Sequence, residues 1–170
     1  MTPTDEARWD AVEDASEAIA EGSFPEAVAL LEETLRDDPG NAYASYFLGN
    51  AQFELGKFDR SLKAFVRALE VSPDYIGAMI GAGQSLRMLG QHDKAIRMGK
   101  QILARRKDDG DALYLLGMSH FARGDSHAAA TYLERFLTTS PELEVATEVR
   151  GVLQVLAGEV LPSVDEGSEQ

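Results

Sequence analysis

The chain has 170 residues, with 29 acidic against 16 basic side chains, a net charge of −13 and no cysteine. An apolar content of 44% excludes wholesale disorder, and the missing cysteines exclude disulfides, thiolate metal sites and a cysteine nucleophile. The acidic balance speaks against general nucleic-acid binding, which needs a basic surface to meet phosphates.

In chain order, the N-terminus (residues 1–10) is acidic and lacks the apolar run of a signal peptide. A first unit, residues 8–41, reads as two helices. One runs to Gly22, where glycine permits a left-handed cap, and the other starts at Ser23-Phe24-Pro25-Glu26, which has capping-box spacing, and stops before Pro39. Unit two, 42–75, repeats this with Gly56, Asp59 at the second helix start and Pro73. Unit three, 76–109, has Gly90 and Asp93, but Lys107 stands where proline would fall. Unit four, 110–143, has Gly124, Asp125 and Pro141. One more helix is expected at 142–157, covering the last apolar face. An acidic tail at 159–170 is expected to be disordered. No stretch approaches the roughly 18–20 apolar residues of a membrane span, so a soluble, cytoplasmic protein is expected.

The units are in strict register. Ala15, Gly49, Gly83 and Gly117 are 34 residues apart, as are Ala27, Ser61, Ala95 and Ala129, and the capping glycines keep the same spacing. Small residues in such columns let antiparallel helices approach closely, while Leu31, Phe65, Leu116 and Leu133 fill the spaces between. No alternation of period two appears, so the fold class is all-α.

A helix–turn–helix of this length resembles the tetratricopeptide repeat (TPR). The pattern is clearest in Ser45, Leu48, Gly49, Gly56, Ser61, Phe65, Ala68 and Pro73, and again in Leu113, Leu116, Gly117, Gly124, Ala129, Leu133, Phe136 and Pro141. Unit three departs at Gly99 and Lys107, unit one at Asp14 and Thr34. The resemblance implies a right-handed α-solenoid of four units plus a C-terminal capping helix, acting as a non-catalytic adaptor that holds a peptide or helix of a partner protein.

It also implies a concave groove lined by first helices. By position those residues are Trp9, Val12, Ser16 and Ile19, then Tyr43, Tyr46, Asn50 and Phe53, then Gly77, Ile80, Gln84 and Arg87, and finally Asp111, Tyr114, Met118 and Phe121. From the residues alone, Tyr43, Tyr46, Asn50 and Phe53 share one helical stripe, and Tyr114, Met118 and Phe121 share another. Asn50 and Gln84 suit hydrogen bonds to a ligand backbone, and Arg87 suits a carboxylate. The competing reading is that the superhelix, or the acidic N-terminus, buries these aromatics. The Lys, Asn and Arg set with which some TPR modules grip a chaperone's C-terminal carboxylate is matched only at Asn50, so a co-chaperone of that kind is not expected.

Acidity is concentrated at the ends. Residues 1–38 carry twelve acids and two bases, 39–141 ten acids and thirteen bases, and 142–170 seven acids and one base. The bases gather on second helices, at Lys57, Arg60, Lys63 and Arg67 and at Lys94, Arg97, Lys100, Arg105, Arg106 and Lys107. That face is either simply solvated or a salt-sensitive docking surface for an acidic partner or the acidic end of a second copy. The three histidines are scattered, and Gly81-Ala82-Gly83 lies inside a helix rather than after a strand. No catalytic constellation, cofactor loop or metal set is legible. Two other readings stand beside the adaptor: a small acidic secretion-type chaperone for one substrate, and a self-assembling structural module.

Overall fold

The computed structural model describes residues 2–158. Its first helices all end in the same way. Gly22, Gly56, Gly90 and Gly124 have φ of 78°, 71°, 73° and 81°, a left-handed conformation that a side chain would strain. At each, the glycine N–H bonds three residues back and the next N–H five residues back, as in Gly22 to Ile19 (3.0 Å) and Ser23 to Ala18 (2.8 Å). This double bond satisfies the helix's orphaned carbonyls and turns the chain back at once.

Ten helices result among the described residues, and no strand. They are α1 (Asp5–Asp10), α2 (Glu13–Ala20), α3 (Phe24–Asp37), α4 (Ala42–Glu54), α5 (Phe58–Val71), α6 (Ile76–Met88), α7 (His92–Arg105), α8 (Gly110–Arg123), α9 (Ser126–Leu137) and α10 (Leu143–Leu156). From α2 onward consecutive helices pack together, and α6 also touches both α4 and α8, so first helices form one layer and second helices the other. The helix expected at 142–157 is α10, flanked by Glu142 and Ala157. The expected tail, 159–170, lies outside the described residues.

The small columns are where the layers meet. Phe65 is 1% exposed. A Cβ built on Gly49 would stand 2.7 Å from its ring, and one on Gly81 closer still. The ring is thus clamped between two first helices. The Ser61 and Ser85 hydroxyl oxygens lie 3.0 Å apart and within reach of the Gly49 carbonyl (2.8 Å) and the Gly81 carbonyl (2.9 Å), and their two protons serve two of these three contacts at a time. The departure at Gly99 has a partner as well: a Cβ there would meet Leu116 Cγ at 2.6 Å, so leucine from the next unit occupies the room an aromatic would take.

Two local expectations need correction. Ser23 forms no capping box, for its side chain accepts no bond from α3. Its ψ of 57° departs from the extended backbone that aims a capping oxygen at the helix end. Side-chain caps occur on first helices instead. Asn41 accepts from Ala44 N (3.1 Å) and Asp109 from Ala112 N (3.0 Å), with extended ψ values of 97° and 116°.

The single first helix expected before Gly22 is also broken, into α1 and α2. Val12 N–H bonds only three residues back, to Trp9 (3.0 Å), while Val12 is completely buried and Thr34 Oγ1 reaches the Ala11 carbonyl (3.3 Å). Burial of Val12 and satisfaction of that carbonyl hold the kink.

Helix α1 is tied down by Arg8. Its guanidinium donates to both oxygens of Asp38 (2.7 and 3.2 Å), and its carbonyl accepts from Asn41 Nδ2 (3.0 Å). The Arg8 hydrogen bond lowers the Asp38 carboxyl below its ordinary value, against an opposing effect of burial. Because the folded carboxyl releases its proton more readily than the unfolded one, the pair contributes fully above the ordinary aspartate range. That contribution fades as pH falls through the lower folded value. Trp9, the one tryptophan, sits on α1. Its emission is expected to change with acid at a pH where helical circular dichroism is still constant, and Asp38→Asn should abolish that step. Coincident transitions in both signals, unaltered by Asp38→Asn, would contradict this.

Candidate partner-binding groove

Two adjoining cavities open along the first-helix layer, of about 490 and 480 Å³. Tyr46, Asn50 and Phe53 of α4 wall the first together with Ile80 and Gln84 of α6 and Ile19 of α2. Gln84 and Asp111 belong to both cavities, and Tyr114, Phe136, Val145 and Glu148 continue the second. The spacing of three and four residues along each first helix brings these side chains to the same face. Register then sets one helix's stripe beside the next.

The aromatics are ordered rather than loose. Tyr46 packs on Tyr75 (centroids 4.8 Å apart), Phe47 (5.3 Å) and Phe65 (6.0 Å), while Phe53 meets Phe58 edge-on at 5.1 Å. Burial, and then the neighbouring tyrosines, pushes the Tyr75 phenol well above its ordinary range. Asn50 makes no side-chain hydrogen bond among the described residues, leaving its amide free toward the cavity.

Gln84 and Arg87 are not independent contacts. Arg87 Nε donates to Gln84 Oε1 at 2.9 Å, and its guanidinium lies 5.7 Å from the Tyr114 ring centroid, a cation–π arrangement. The Tyr114 hydroxyl donates to Glu148 of α10 (3.3 Å). Desolvation first, and the Glu148 charge second, raise its phenol, with Arg87 pulling the other way. Asp111 stays solvent-accessible, yet loss of hydration in the concavity raises its carboxyl, helped by Asp109.

Seven expected groove residues, Trp9, Val12, Ser16, Tyr43, Arg87, Met118 and Phe121, line neither cavity. Tyr43 donates to Asp5 of α1 (3.0 Å) and packs edge-on against Trp9 (5.3 Å), so the acidic N-terminal helix covers it. That hydrogen bond, then desolvation, raises its phenol. Met118 packs into the cluster of Leu113, Leu133 and Phe136, and Phe121 lines neither cavity. Val12 is core. Residues missed by position are Glu54, Glu142, Val145 and Glu148, which reach the cavities from helix ends or from α10.

Around the second helix α7, Arg105 pairs with Asp74 (3.4 Å), Arg106 with Asp109 (3.8 Å) and Asp93 with Arg123 of α8 (2.8 Å). The Arg105–Asp74 and Arg123–Asp93 pairs are exposed on both sides and worth little in stability. His120, one of the scattered histidines, lies 3.0 Å from Asp125 and stacks on Tyr132 at 5.6 Å. The carboxylate follows the left-handed Gly124 turn, which brings it back over the helix end. Among the described residues no group of three His, Cys, Asp or Glu is placed to hold a metal ion, and no helix is long and apolar enough to cross a membrane.

Residues 12–144 match the family model described as the cytochrome c-type biogenesis protein H TPR domain. Superkiller complex protein 3 of Mus musculus is 31% identical over 103 residues, 61% of this chain and 7% of that protein. The CTR9 homolog of Arabidopsis thaliana is 31% identical over 109 residues, 64% of this chain and 10% of that protein. The chain therefore spans a tenth or less of the length of these relatives. Among solved structures, MamA (from residue 41) of Desulfovibrio magneticus RS-1 superposes with a TM-score of 0.76 at 21% identity, covering 89% of this chain and 86% of that one. A thermophilic TPR protein of Thermus thermophilus, TTC0263, gives 0.71 at 20% identity, covering 90% and 84%. At those identities the likeness shows the fold.

Proposed function

Because the chain belongs to the TPR family represented by the cytochrome c-type biogenesis protein H domain, we propose that it is a non-catalytic adaptor whose first-helix groove receives an extended or helical segment of a partner protein. The observation that carries this is the pair of adjoining cavities walled by Tyr46, Asn50, Phe53, Ile80, Gln84 and Tyr114. Ordered aromatic walls offer apolar contact at little further entropic cost. The unbonded amide of Asn50 and the free NH₂ of Gln84 can meet a ligand's backbone, fixing register along the groove.

Peptides selected from a random display library test this directly. Replacing Tyr46 and Tyr114 together with alanine is expected to weaken binding about tenfold or more, while circular dichroism still shows a folded chain. Selected peptides that bind the folded double variant unchanged, or that shift amide resonances only on α5 and α7, would remove the groove assignment.

A further inference from the structure

The groove is charged with one sign. Four carboxylates, Glu54, Asp111, Glu142 and Glu148, line its two cavities, and no basic residue does. None of the four has an ion-pair partner within 4.0 Å among the described residues, whereas Asp38, Asp74, Asp93, Asp108, Asp109 and Asp125 all do. Arg87, the nearest base, is already engaged by Gln84 and the Tyr114 face. Asp111 stands where the cavities join, and loss of hydration first, then the neighbouring Asp109, raises its carboxyl. Seven of the sixteen bases lie instead on two second helices, Arg60, Lys63 and Arg67 on α5 and Lys94, Arg97, Lys100 and Arg105 on α7.

Resting on the groove reading above, we infer that the partner segment is cationic as well as apolar. A lysine or arginine side chain of the ligand meets Asp111, with Glu148 and Glu142 extending the negative potential along the second cavity. An aromatic or branched aliphatic neighbour enters between Tyr46, Phe53 and Ile80. The carboxylates steer encounter and choose among partners by sign, since a like-charged segment is repelled. The apolar walls supply the holding contacts.

The test selects random twelve-residue peptides on phage against three proteins in parallel: the unaltered chain, Asp111→Asn/Glu148→Gln, and Glu32→Gln/Asp37→Asn. The last carries the same change in net charge but on exposed positions of α3, outside both cavities. Peptides selected by the unaltered chain and by the α3 variant are expected to favour Lys and Arg over Asp and Glu by about threefold or more. The groove variant should lose that bias.

For one selected peptide made synthetically, changing its bases to glutamine should cost about tenfold in affinity against the unaltered chain, and little against the groove variant. Raising salt from about 0.05 M to about 0.3 M should erase most of the difference. Selected peptides without basic bias, or a bias that the groove variant retains, would overturn the inference. If such peptides still depended on Tyr46 and Tyr114, the groove itself would stand and only the preference for cations would fall. A synthetic peptide whose basic residues contribute equally with and without Asp111 would likewise refute it.

Discussion

Phe65→Ala is expected to cost about 3–5 kcal/mol of stability, a lowering of the melting temperature by roughly 10 °C or more for a chain of this size. The upper part of that range is favoured because the ring is faced on both sides by glycines, Gly49 and Gly81. Those two glycines have no side chain to relax into the space, so on both of these sides the cavity persists. The converse change, Gly81→Ala, gains about 1 kcal/mol of helix propensity. It also drives a Cβ into a ring that cannot retreat, since a Cβ at Gly49 would itself stand only 2.7 Å from that ring. Overpacking of about 1–3 kcal/mol outweighs the gain.

Phe65→Leu should then partly rescue Gly81→Ala, a coupling readable as non-additivity in urea unfolding. Additive effects, or a stabilising Gly81→Ala, would show that the helices are not clamped on this ring. Gly151 provides the contrast. It occupies the same column as Gly49, Gly83 and Gly117, but nothing stands within 4 Å of its added Cβ, so Gly151→Ala should be neutral or stabilising.

Deleting residues 142–170 is the second large effect. Helix α10 covers Leu113, Leu133 and Phe136 with Val149, which is fully buried, and with Val145, Val152 and Leu153 around it. Burial of one valine side chain contributes about 1.5–3 kcal/mol, and the uncovered leucines and phenylalanine lose their shelter as well. The truncated chain is expected to be at least about 3 kcal/mol less stable and to self-associate through the exposed patch. Light scattering and thermal melts measure both.

Val149→Ala, which keeps the helix, should cost about 2 kcal/mol without causing association. A truncated chain as stable and monomeric as the full one would mean that α10 is not a cap. The truncation also removes Glu142 and Glu148, so ligand binding by the shortened chain says nothing about the groove's charge.

Much of this was open to inspection in the sequence because it is locally encoded and repeated. A glycine that must adopt positive φ recurs at Gly22, Gly56, Gly90 and Gly124, and a small residue recurs wherever two helices approach. That Tyr46, Asn50 and Phe53 share one face of α4 follows from the helical period, whereas Ile80 and Gln84 of α6 came only from the positions that the resemblance implies. The capping pattern at Ser23 misled for an equally local reason, since the same residues occur in box and non-box geometries, and only ψ distinguishes them.

The sequence by itself thus determined the all-α repeat, its helix ends and the face on which each first helix presents its aromatics. These depend on backbone sterics and on spacing within some fifteen residues, which is about the length of one helix. Tertiary structure alone decided which of the expected groove side chains stay available. Tyr43 is taken by Asp5 and Trp9, Met118 by the core, and Arg87 by Gln84 and Tyr114.

It also decided that Glu54, Asp111, Glu142 and Glu148, drawn from two repeat units and the capping helix, line two adjoining cavities. The net charge of −13 and its concentration at the two ends revealed none of this. Desolvation and charge proximity are set by distance in space between repeats, and no period along the chain records them.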